Sequence, residues 1–418
     1  MGSAVTLLTL DACARDDGGT GGSFSVPTSA TTDPDAAVDA LGGDEIIVDV
    51  QTHLLEYDRS VPLSGNFFGS GFPQAGCDAD DPRDCFTTER WQDLVFEQSD
   101  TRLAVLSAIP VVGDVDPLSI EVMEDASRRV EELCDDSRVL LQGHAVPNVG
   151  DFAAARDRML EVAETHDISA WKVYTHAGAG FRFDDADPDG LQVGQRFLEA
   201  VRETGVPIVA VHKGLSGNNP WSSPADIGPA AAANPDLTFL VYHSGYESGE
   251  GAIDERPDEG VNRLVHSVRA AGLGPGDNVY AELGSTWRRV MTDVDDAAHT
   301  LGKLLLTFGE DRVLWGTDSL WYGSPQDQIQ AFRAFQISAE FQDRFGYPPL
   351  TDAVKTKILG ANALALHGIA SDEVGCATTA DEREQARVDA PPDRLLGPGT
   401  VEQARRLFRA EHPWFWTA

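Results

Sequence analysis

The feature that most constrains the fold is a regular alternation, from residue 44 onward, of short β-branched and apolar runs with amphipathic stretches. This alternation indicates βα units whose strands form a parallel sheet. Eight runs can be counted: Glu45–Val50, Arg102–Ala108, Val139–Ala145, Ser169–Tyr174, Pro207–Val211, Thr238–Tyr242, Asn278–Leu283 and Arg312–Gly316. Eight consecutive units predict an α/β protein with a closed (β/α)8 barrel, the TIM barrel.

A doubly wound open sheet is the alternative fold. Such a sheet normally carries a Gly-rich phosphate loop after its first strand, but this chain has Asp49-Val50-Gln51-Thr52-His53 there. Between the runs, apolar residues recur at three- and four-residue spacing, which is typical of helices that pack one face on a core. The predicted helices are Glu121–Asp135, Arg156–Thr165, Gln195–Thr204, Asn262–Ala271, Ala298–Phe308, Gln326–Phe341 and Asp352–His367.

Three segments are predicted along the chain: a leader or flexible linker at 1–43, the barrel at 44–369 and a C-terminal extension at 370–418. The linker is rich in Gly and Ser, a composition that favours disorder. Its start resembles a lipoprotein leader with Cys13 as the lipidated residue, so export or lipid anchoring and a cytoplasmic location both stay open. The extension carries a short amphipathic helix, Val401–Glu411, and then Pro413–Trp416, whose aromatic residues would pack on the body or on a partner subunit in a homodimer.

Composition excludes several classes of partner. With 32 Lys+Arg against 68 Asp+Glu, the formal net charge of the 418 residues is -36. Such a surface repels nucleic acid and anionic membranes. No apolar run reaches the roughly 18 residues that a transmembrane helix needs. The expected partner is therefore a small-molecule substrate.

Residues just beyond the strands carry the chemistry of a barrel of this type. Three such positions hold histidines, and a fourth holds a carboxylate: His53, His212, His243 and Asp318. Imidazole nitrogen and carboxylate oxygen suit Zn, Mn, Fe and Co. We predict one divalent metal, Zn before Mn, Fe or Co, held by His53, His212 and Asp318. His243 is then left for acid–base work, and Glu282 is expected to orient a ligand imidazole.

The order of these residues resembles the amidohydrolase superfamily, in particular the amidohydrolase-related branch that includes aminocarboxymuconate-semialdehyde decarboxylase and the aromatic-acid decarboxylases. The motifs are Asp49-Val50-Gln51-Thr52-His53, Pro207–His212, Val241-Tyr242-His243, Gly316-Thr317-Asp318 and Ile358–Ala363. The resemblance covers about residues 44 to 369. It implies a metal-dependent barrel enzyme with Asp318 and His243 as its catalytic residues.

One position departs from the family pattern. The first strand of the family usually ends in His-x-His, whereas this chain has Gln51-Thr52-His53. Gln51 is therefore either a weak fourth ligand through its amide oxygen or a neighbour of a site that His53, His212 and Asp318 hold. A metal-free barrel with a binding role is the remaining alternative.

The predicted activity is that of a metal-dependent hydrolase acting on a small organic or aromatic acid, ester, lactone or amide through activated water. Non-oxidative decarboxylation, catalysed by a C–C lyase, is the alternative on the same site, because both reactions use the same ligands. Five residues in or near the predicted strand ends are candidates for substrate binding: Lys172, His176, Arg182, Trp287 and Trp321.

Two cysteines lie in the long loop after the first strand. Cys77 and Cys85 are separated by seven residues, a spacing that is not specific for a zinc or redox pair. They would form a disulfide in an exported protein and stay as thiols in a cytoplasmic one.

Overall fold

The computed structural model describes residues 19–62, 67–72, 77, 79–111, 116–132, 138–184, 192–215, 219–249, 251–252 and 256–374. Eight parallel strands form one sheet in which each strand pairs with the next along the chain. Numbered one to eight, the barrel strands are Ile47–Thr52, Thr101–Leu106, Val139–Ala145, Ile168–Tyr174, Ile208–His212, Thr238–Tyr242, Val279–Glu282 and Val313–Leu314. The predicted (β/α)8 barrel is confirmed, and each predicted run overlaps one barrel strand.

Backbone contacts close the ring between the first and the last barrel strands. The Asp318 amide donates to the Gln51 carbonyl (2.9 Å), and the His53 amide donates to the Ser319 carbonyl (2.6 Å). Closure leaves no exposed sheet edge. It also brings two predicted site residues, His53 and Asp318, next to each other although 265 positions separate them along the chain.

Alternating side chains of the strands fill the barrel interior and its outer layer. On the fourth barrel strand, Ala170 packs with the interior residues Val50, Leu240 and others. Trp171 and Val173 instead join the large outer core under the helices. This period of two puts Lys172, which is fully buried, on the interior face as well.

Helices occupy the connections and cover the barrel. The α-helices are Pro34–Leu41, Thr88–Gln92, Ile120–Glu132, Phe152–Thr165, Val193–Thr204, Ile227–Ala233, Asn262–Ala270, Thr286–Val290, Val294–Phe308, Gln326–Ala334, Ala339–Phe345, Asp352–Thr356 and Asn362–His367. Turns of π-helix run over Asp93–Glu97 and Lys357–Ala361. Short 3-10 turns cover Thr28–Thr31, Phe68–Gly71, Pro82–Phe86, Pro220–Ser222, Pro224–Asp226, His243–Gly245 and Ser371–Glu373.

Side-chain caps account for several helix starts. Asp151 accepts from the Ala153 amide at the start of Phe152–Thr165, and Asp293 accepts from two amides at the start of Val294–Phe308. Such caps satisfy amides that have no partner within the helix.

The structure differs from the sequence-based interpretation in two linked places. The predicted helix 326–341 is interrupted by a strand, Phe335–Ile337, and a new helix begins after Ser338, which caps it. This strand pairs antiparallel with Gly22–Phe24, in a segment that the composition assigned to a flexible linker. The helix Pro34–Leu41 lies in the same segment. Pairing with a remote strand thus overrides the local helical periodicity.

The predicted helix Val401–Glu411 and the terminal aromatic residues lie outside the described residues, as does Cys13. Across the described ranges, no helix combines the length and the apolarity that crossing a membrane requires.

Candidate active site

The Asp318 carboxylate lies at the centre of a hydrogen-bond network at the barrel mouth. Its Oδ1 accepts from Gln51 Nε2 (2.9 Å) and from Trp321 Nε1 (3.2 Å). Its Oδ2 accepts from Ser285 Oγ (2.6 Å), which also lies 2.7 Å from the Tyr322 hydroxyl. Donors from three separate segments therefore fix the orientation of this carboxylate.

His53 completes that network. Its Nδ1 lies 2.6 Å from the Ser107 carbonyl oxygen, and because a carbonyl only accepts, Nδ1 carries a proton. Its Nε2 faces Asp318 Oδ1 at 3.1 Å. Burial would raise the pKa of the Asp318 carboxyl, but the contacts with His53 and Ser285 outweigh burial, and this pKa lies below its usual value.

His243 is held by two groups of the seventh barrel strand and its loop. Its Nδ1 lies 2.7 Å from the Gly284 carbonyl, and its backbone amide donates to Glu282 Oε2 (2.9 Å). Burial lowers the pKa of the His243 imidazole to about 4. The ring is therefore neutral at pH 7, its proton is on Nδ1, and Nε2 carries a lone pair. Glu282 positions the backbone of His243 rather than its ring.

His212, at the end of the fifth barrel strand, lies beside His243. The two rings are 4.6 Å apart between centroids, and His212 Nδ1 is buried without a hydrogen-bond partner. In the part of the chain that the structure describes, no group of three or more His, Cys, Asp or Glu side chains could hold a metal ion. The predicted set of His53, His212 and Asp318 therefore does not form a three-ligand cage.

The pair of His53 and Asp318, together with Gln51, nevertheless fits a divalent ion. Two ligands about 2.0–2.2 Å from one ion lie roughly 3 Å apart when they subtend a near-right angle, and His53 Nε2 and Asp318 Oδ1 are 3.1 Å apart. The carbonyl on Nδ1 is a common outer partner of a metal-binding imidazole. Gln51 contacts both groups through Nε2, and its buried Oε1 has no hydrogen-bond partner. Gln51 would offer a third donor with its amide turned so that Oε1, and not Nε2, faces His53 and Asp318.

Of the predicted substrate-binding residues, Trp321 lies at the site. Its ring stacks on His53 (5.4 Å between centroids) and on Phe72 (4.2 Å), and its Nε1 contacts Asp318. Lys172 and His176 belong to the wall of the barrel at the fourth strand. Trp321, Phe72 and His53 together form an aromatic side of the mouth.

Two other candidates have different surroundings. Arg182 makes two hydrogen bonds to Asp184 (2.8 and 2.6 Å). The prediction that Trp287 binds substrate is wrong. Its ring is fully buried and packs edge-on against Phe332 and Phe335. Its Nε1 donates to the Gln328 carbonyl. The helix Thr286–Val290 turns Trp287 into the core between barrel and helices, although its sequence position is close to the mouth.

The loop after the first barrel strand is closed by a disulfide between Cys77 and Cys85. Phe86, next to Cys85, lies 5.6 Å from the Trp321 ring. The cross-link therefore ties down the aromatic segment that packs beside His53.

Sequence reasoning missed two contributors to the site. Ser285 has a positive φ of 56° and donates to Asp318; its only sequence signal is its place three residues beyond a strand end. Asp49 is buried and accepts from the Thr317 amide (3.0 Å) and the Gln51 amide (3.2 Å). Asp49 thereby joins the segments that carry Gln51 and Asp318.

Comparison with known proteins places this site in a family. The model of the family described as amidohydrolase matches residues 48–369. The chain belongs to the amidohydrolase family. The match covers the whole barrel and confirms the resemblance of the sequence motifs. Among curated proteins, none matches the chain.

Several solved structures are similar to this chain at low identity. The 5-carboxyvanillate decarboxylase of Sphingomonas paucimobilis is 13% identical, with a TM-score of 0.45 over 78% of this chain and 100% of that chain. The IDCase of Metarhizium anisopliae is 16% identical (TM-score 0.44; 78% and 97%). The Novosphingobium aromaticivorans 5-carboxyvanillate decarboxylase, solved with manganese, is 14% identical (TM-score 0.45; 78% and 98%). Nothing about the reaction of this amidohydrolase follows from these three proteins.

Proposed function

We propose that this amidohydrolase is a metal-dependent hydrolase that cleaves an ester, lactone or amide bond in a small organic acid. The observation that carries the proposal is the Asp318 carboxylate, which accepts hydrogen bonds from Gln51, Ser285 and Trp321 and faces His53. These donors stabilise the ionised carboxylate, which is the form that can accept a proton from water.

The residues have distinct roles in this hydrolysis. Asp318 accepts a proton from the water that attacks the substrate carbonyl. His243 presents a lone pair on Nε2, so it is a second proton acceptor and, once protonated, a donor to the leaving group. A divalent metal, when bound by His53, Asp318 and the Gln51 amide oxygen, would polarise a carbonyl and acidify water. Zn, Mn, Fe and Co all suit these nitrogen and oxygen donors.

The test combines metal analysis with hydrolysis of carboxylate-bearing esters and lactones. We expect a chelator to remove both metal and turnover, and re-added Zn or Mn to restore them. The variants Asp318→Asn and His243→Gln should lose about 100-fold or more in kcat. The control His166→Gln lies on the outer layer, where His166 pairs with Glu124, and should behave as wild type. Purified protein with neither metal nor turnover would instead support a metal-free binding role.

Decarboxylation is the second candidate, because an aromatic surface lies beside the proposed proton acceptor. A planar aromatic acid next to Asp318 would meet the Nε1 edge of Trp321, whose ring stacks on Phe72. Release of carbon dioxide from hydroxybenzoic acids, without cleavage of any ester or lactone, would favour this reaction over hydrolysis.

A further inference from the structure

The side of the mouth opposite His53 and Asp318 carries basic nitrogens. Four side chains on barrel strands three to five and their ends surround the ring of Tyr174, and we call them the basic wall: His144, Lys172, His176 and His212. The Tyr174 ring centroid lies 6.3 Å from that of His144, 5.8 Å from that of His176 and 5.1 Å from that of His212.

Lys172 is the innermost member of the basic wall. Its Nζ lies 4.8 Å from the centroid of the Tyr174 ring and 3.3 Å from that of the Tyr242 ring. His144 is its direct neighbour in the register of strands three and four. Both phenol groups are anchored, because Tyr174 donates to the Ala108 carbonyl (2.9 Å) and Tyr242 to the Val50 carbonyl (2.8 Å). The wall is therefore built on fixed rings.

Every member of the basic wall has a nitrogen atom that is buried and lacks a hydrogen-bond partner. These atoms are His144 Nε2, Lys172 Nζ, His176 Nδ1 and His212 Nδ1. A buried polar nitrogen without a hydrogen-bond partner costs about 1–3 kcal/mol, and a neutral imidazole can carry its proton on either ring nitrogen. Four such groups side by side are expected where a ligand supplies the acceptors.

The nearby carboxylates make no hydrogen bond to the four unpartnered nitrogens of the basic wall. Glu282 accepts from the backbone amides of His243 and Gly284. Asp318 accepts from the donors of its own network, which include Gln51 and Ser285. Glu282 and Asp318 therefore act on Lys172 through space and not through a hydrogen bond.

We propose that the basic wall binds a carboxylate group of the substrate that is distinct from the bond to be cleaved. The inference rests on the proposed function for its orientation: the reacting group lies at His53 and Asp318, and a second carboxylate lies at Lys172 and His144. The substrate class is then a compact acid with one free carboxylate and one ester, lactone or amide bond, such as the half-ester of an aromatic dicarboxylate. Oxygen atoms of a carboxylate would accept from the unpartnered nitrogens and stabilise the protonated form of Lys172.

Calorimetric binding to the full chain tests this proposal without turnover. The probes are isophthalate (two carboxylates), benzoate (one) and 3-phosphonobenzoate (a phosphonate in place of one carboxylate). Wild type should bind isophthalate roughly tenfold or more tightly than benzoate, since a charge-assisted hydrogen bond is worth at least about 1.4 kcal/mol. Lys172→Met and His144→Phe should reduce this preference to within about twofold by weakening isophthalate binding.

The control is His166→Phe, a histidine of the outer layer, which should keep the full preference. His144 is partly exposed, so His144→Phe keeps the test decisive if Lys172→Met does not fold, and a thermal melt identifies that case. Equal affinity of wild type for isophthalate and benzoate, binding of neither, or an undiminished preference in the variants would overturn the basic wall as a carboxylate site. Tighter binding of 3-phosphonobenzoate than of isophthalate would overturn the choice of carboxylate. Because binding is measured, loss of hydrolysis alone would count against the proposed function and not against this site.

Discussion

At the scale of single residues, Gln51 is the position that sets how tightly this amidohydrolase can bind a metal ion. Its amide links His53 and Asp318 through Nε2, at a position where the family pattern has a histidine. A neutral amide oxygen is a weaker ligand for these metals than an imidazole. The site therefore combines two strong donors with one weak donor, and its metal affinity should be tunable at this position.

Gln51→His should raise affinity for Zn or Mn by about tenfold or more, because an imidazole adds a third strong donor. Competition with a metal-binding dye measures the change. His53→Gln is the opposing variant and should lose affinity. A Gln51→His protein with unchanged affinity would show that residue 51 does not face the ion.

His299, on the outer layer, predicts a pH dependence of stability. Its Nδ1 lies 2.8 Å from the Tyr347 hydroxyl, and burial lowers its pKa from 6.5 to about 4. The unfolded chain therefore binds a proton that the folded chain resists, so this stability is complete above pH 6.5 and is lost as the pH falls toward 4. Between pH 7 and pH 5 the contribution is roughly 2 kcal/mol.

The measurement is the difference in unfolding free energy between pH 7 and pH 5. His299→Gln keeps a polar group and removes the titration, so its loss of stability over this interval should be smaller than that of wild type by about that amount. His266→Gln, at an exposed position of the helix Asn262–Ala270, is the control and should follow wild type. Parallel curves for wild type and His299→Gln would contradict the assignment.

At the scale of elements, the turn of π-helix Lys357–Ala361 packs against the segments of the first and last barrel strands. A Cβ on Gly360 would lie 1.8 Å from the Ile46 carbonyl oxygen, so the turn approaches the first barrel strand backbone to backbone. The Ile358 carbonyl accepts from the Trp315 amide (3.0 Å), and Asn362 donates to the Val313 carbonyl (2.8 Å). This one segment thus holds the two strands that carry His53 and Asp318.

Gly360→Ala should destabilise the fold by about 3 kcal/mol, because the clash is with backbone atoms that cannot rotate away. Urea unfolding measures the loss. Gly274→Ala is the matched control, since a Cβ there meets no atom within 4 Å, and it should be neutral or slightly stabilising. Equal effects of the two substitutions would rule out the close approach.

The elements also show how far sequence reasoning reaches. Strands that are buried on both faces appear as continuous apolar runs, so all eight could be located in the sequence. The side chains at the strand ends, such as His53 and Asp318, could then be identified as site residues. The strand Phe335–Ile337 could not be predicted, because it depends on pairing with Gly22–Phe24, more than 300 positions away in the sequence. Ser285 and Trp287 illustrate the same limit, since loop conformation decides that one faces Asp318 and the other the core.

At the scale of the whole molecule, the disulfide bears on where this amidohydrolase folds. Structural disulfides form and persist in oxidising compartments, and Cys77 and Cys85 are bonded. We propose that the protein works outside the reducing cytoplasm, as an exported or lipid-anchored enzyme. Fractionation of the producing cells tests this, and recovery of the protein with free thiols in the cytoplasmic fraction would refute it.

The net charge of -36 predicts that stability depends on salt. Like charges on a compact surface repel one another more than on an expanded chain, which lowers the free energy of unfolding. The Debye length falls from about 10 Å at 0.1 M salt to about 3 Å at 1 M, so added KCl should screen this repulsion. We expect Tm to rise by about 1–2 °C, roughly 1–2 kcal/mol in stability, for a chain of this size.

Sucrose is the control, because it stabilises compact states by exclusion from the surface without screening charge. Screening saturates once the Debye length is shorter than the spacing of surface charges, so most of the rise should occur below about 1 M KCl. A Tm that does not change between 0.05 M and 1 M KCl would mean that the ion pairs already compensate the repulsion locally. In that case, paired arginines such as Arg202, which donates to Asp236 at 2.6 Å, rather than screening ions, hold the acidic surface together.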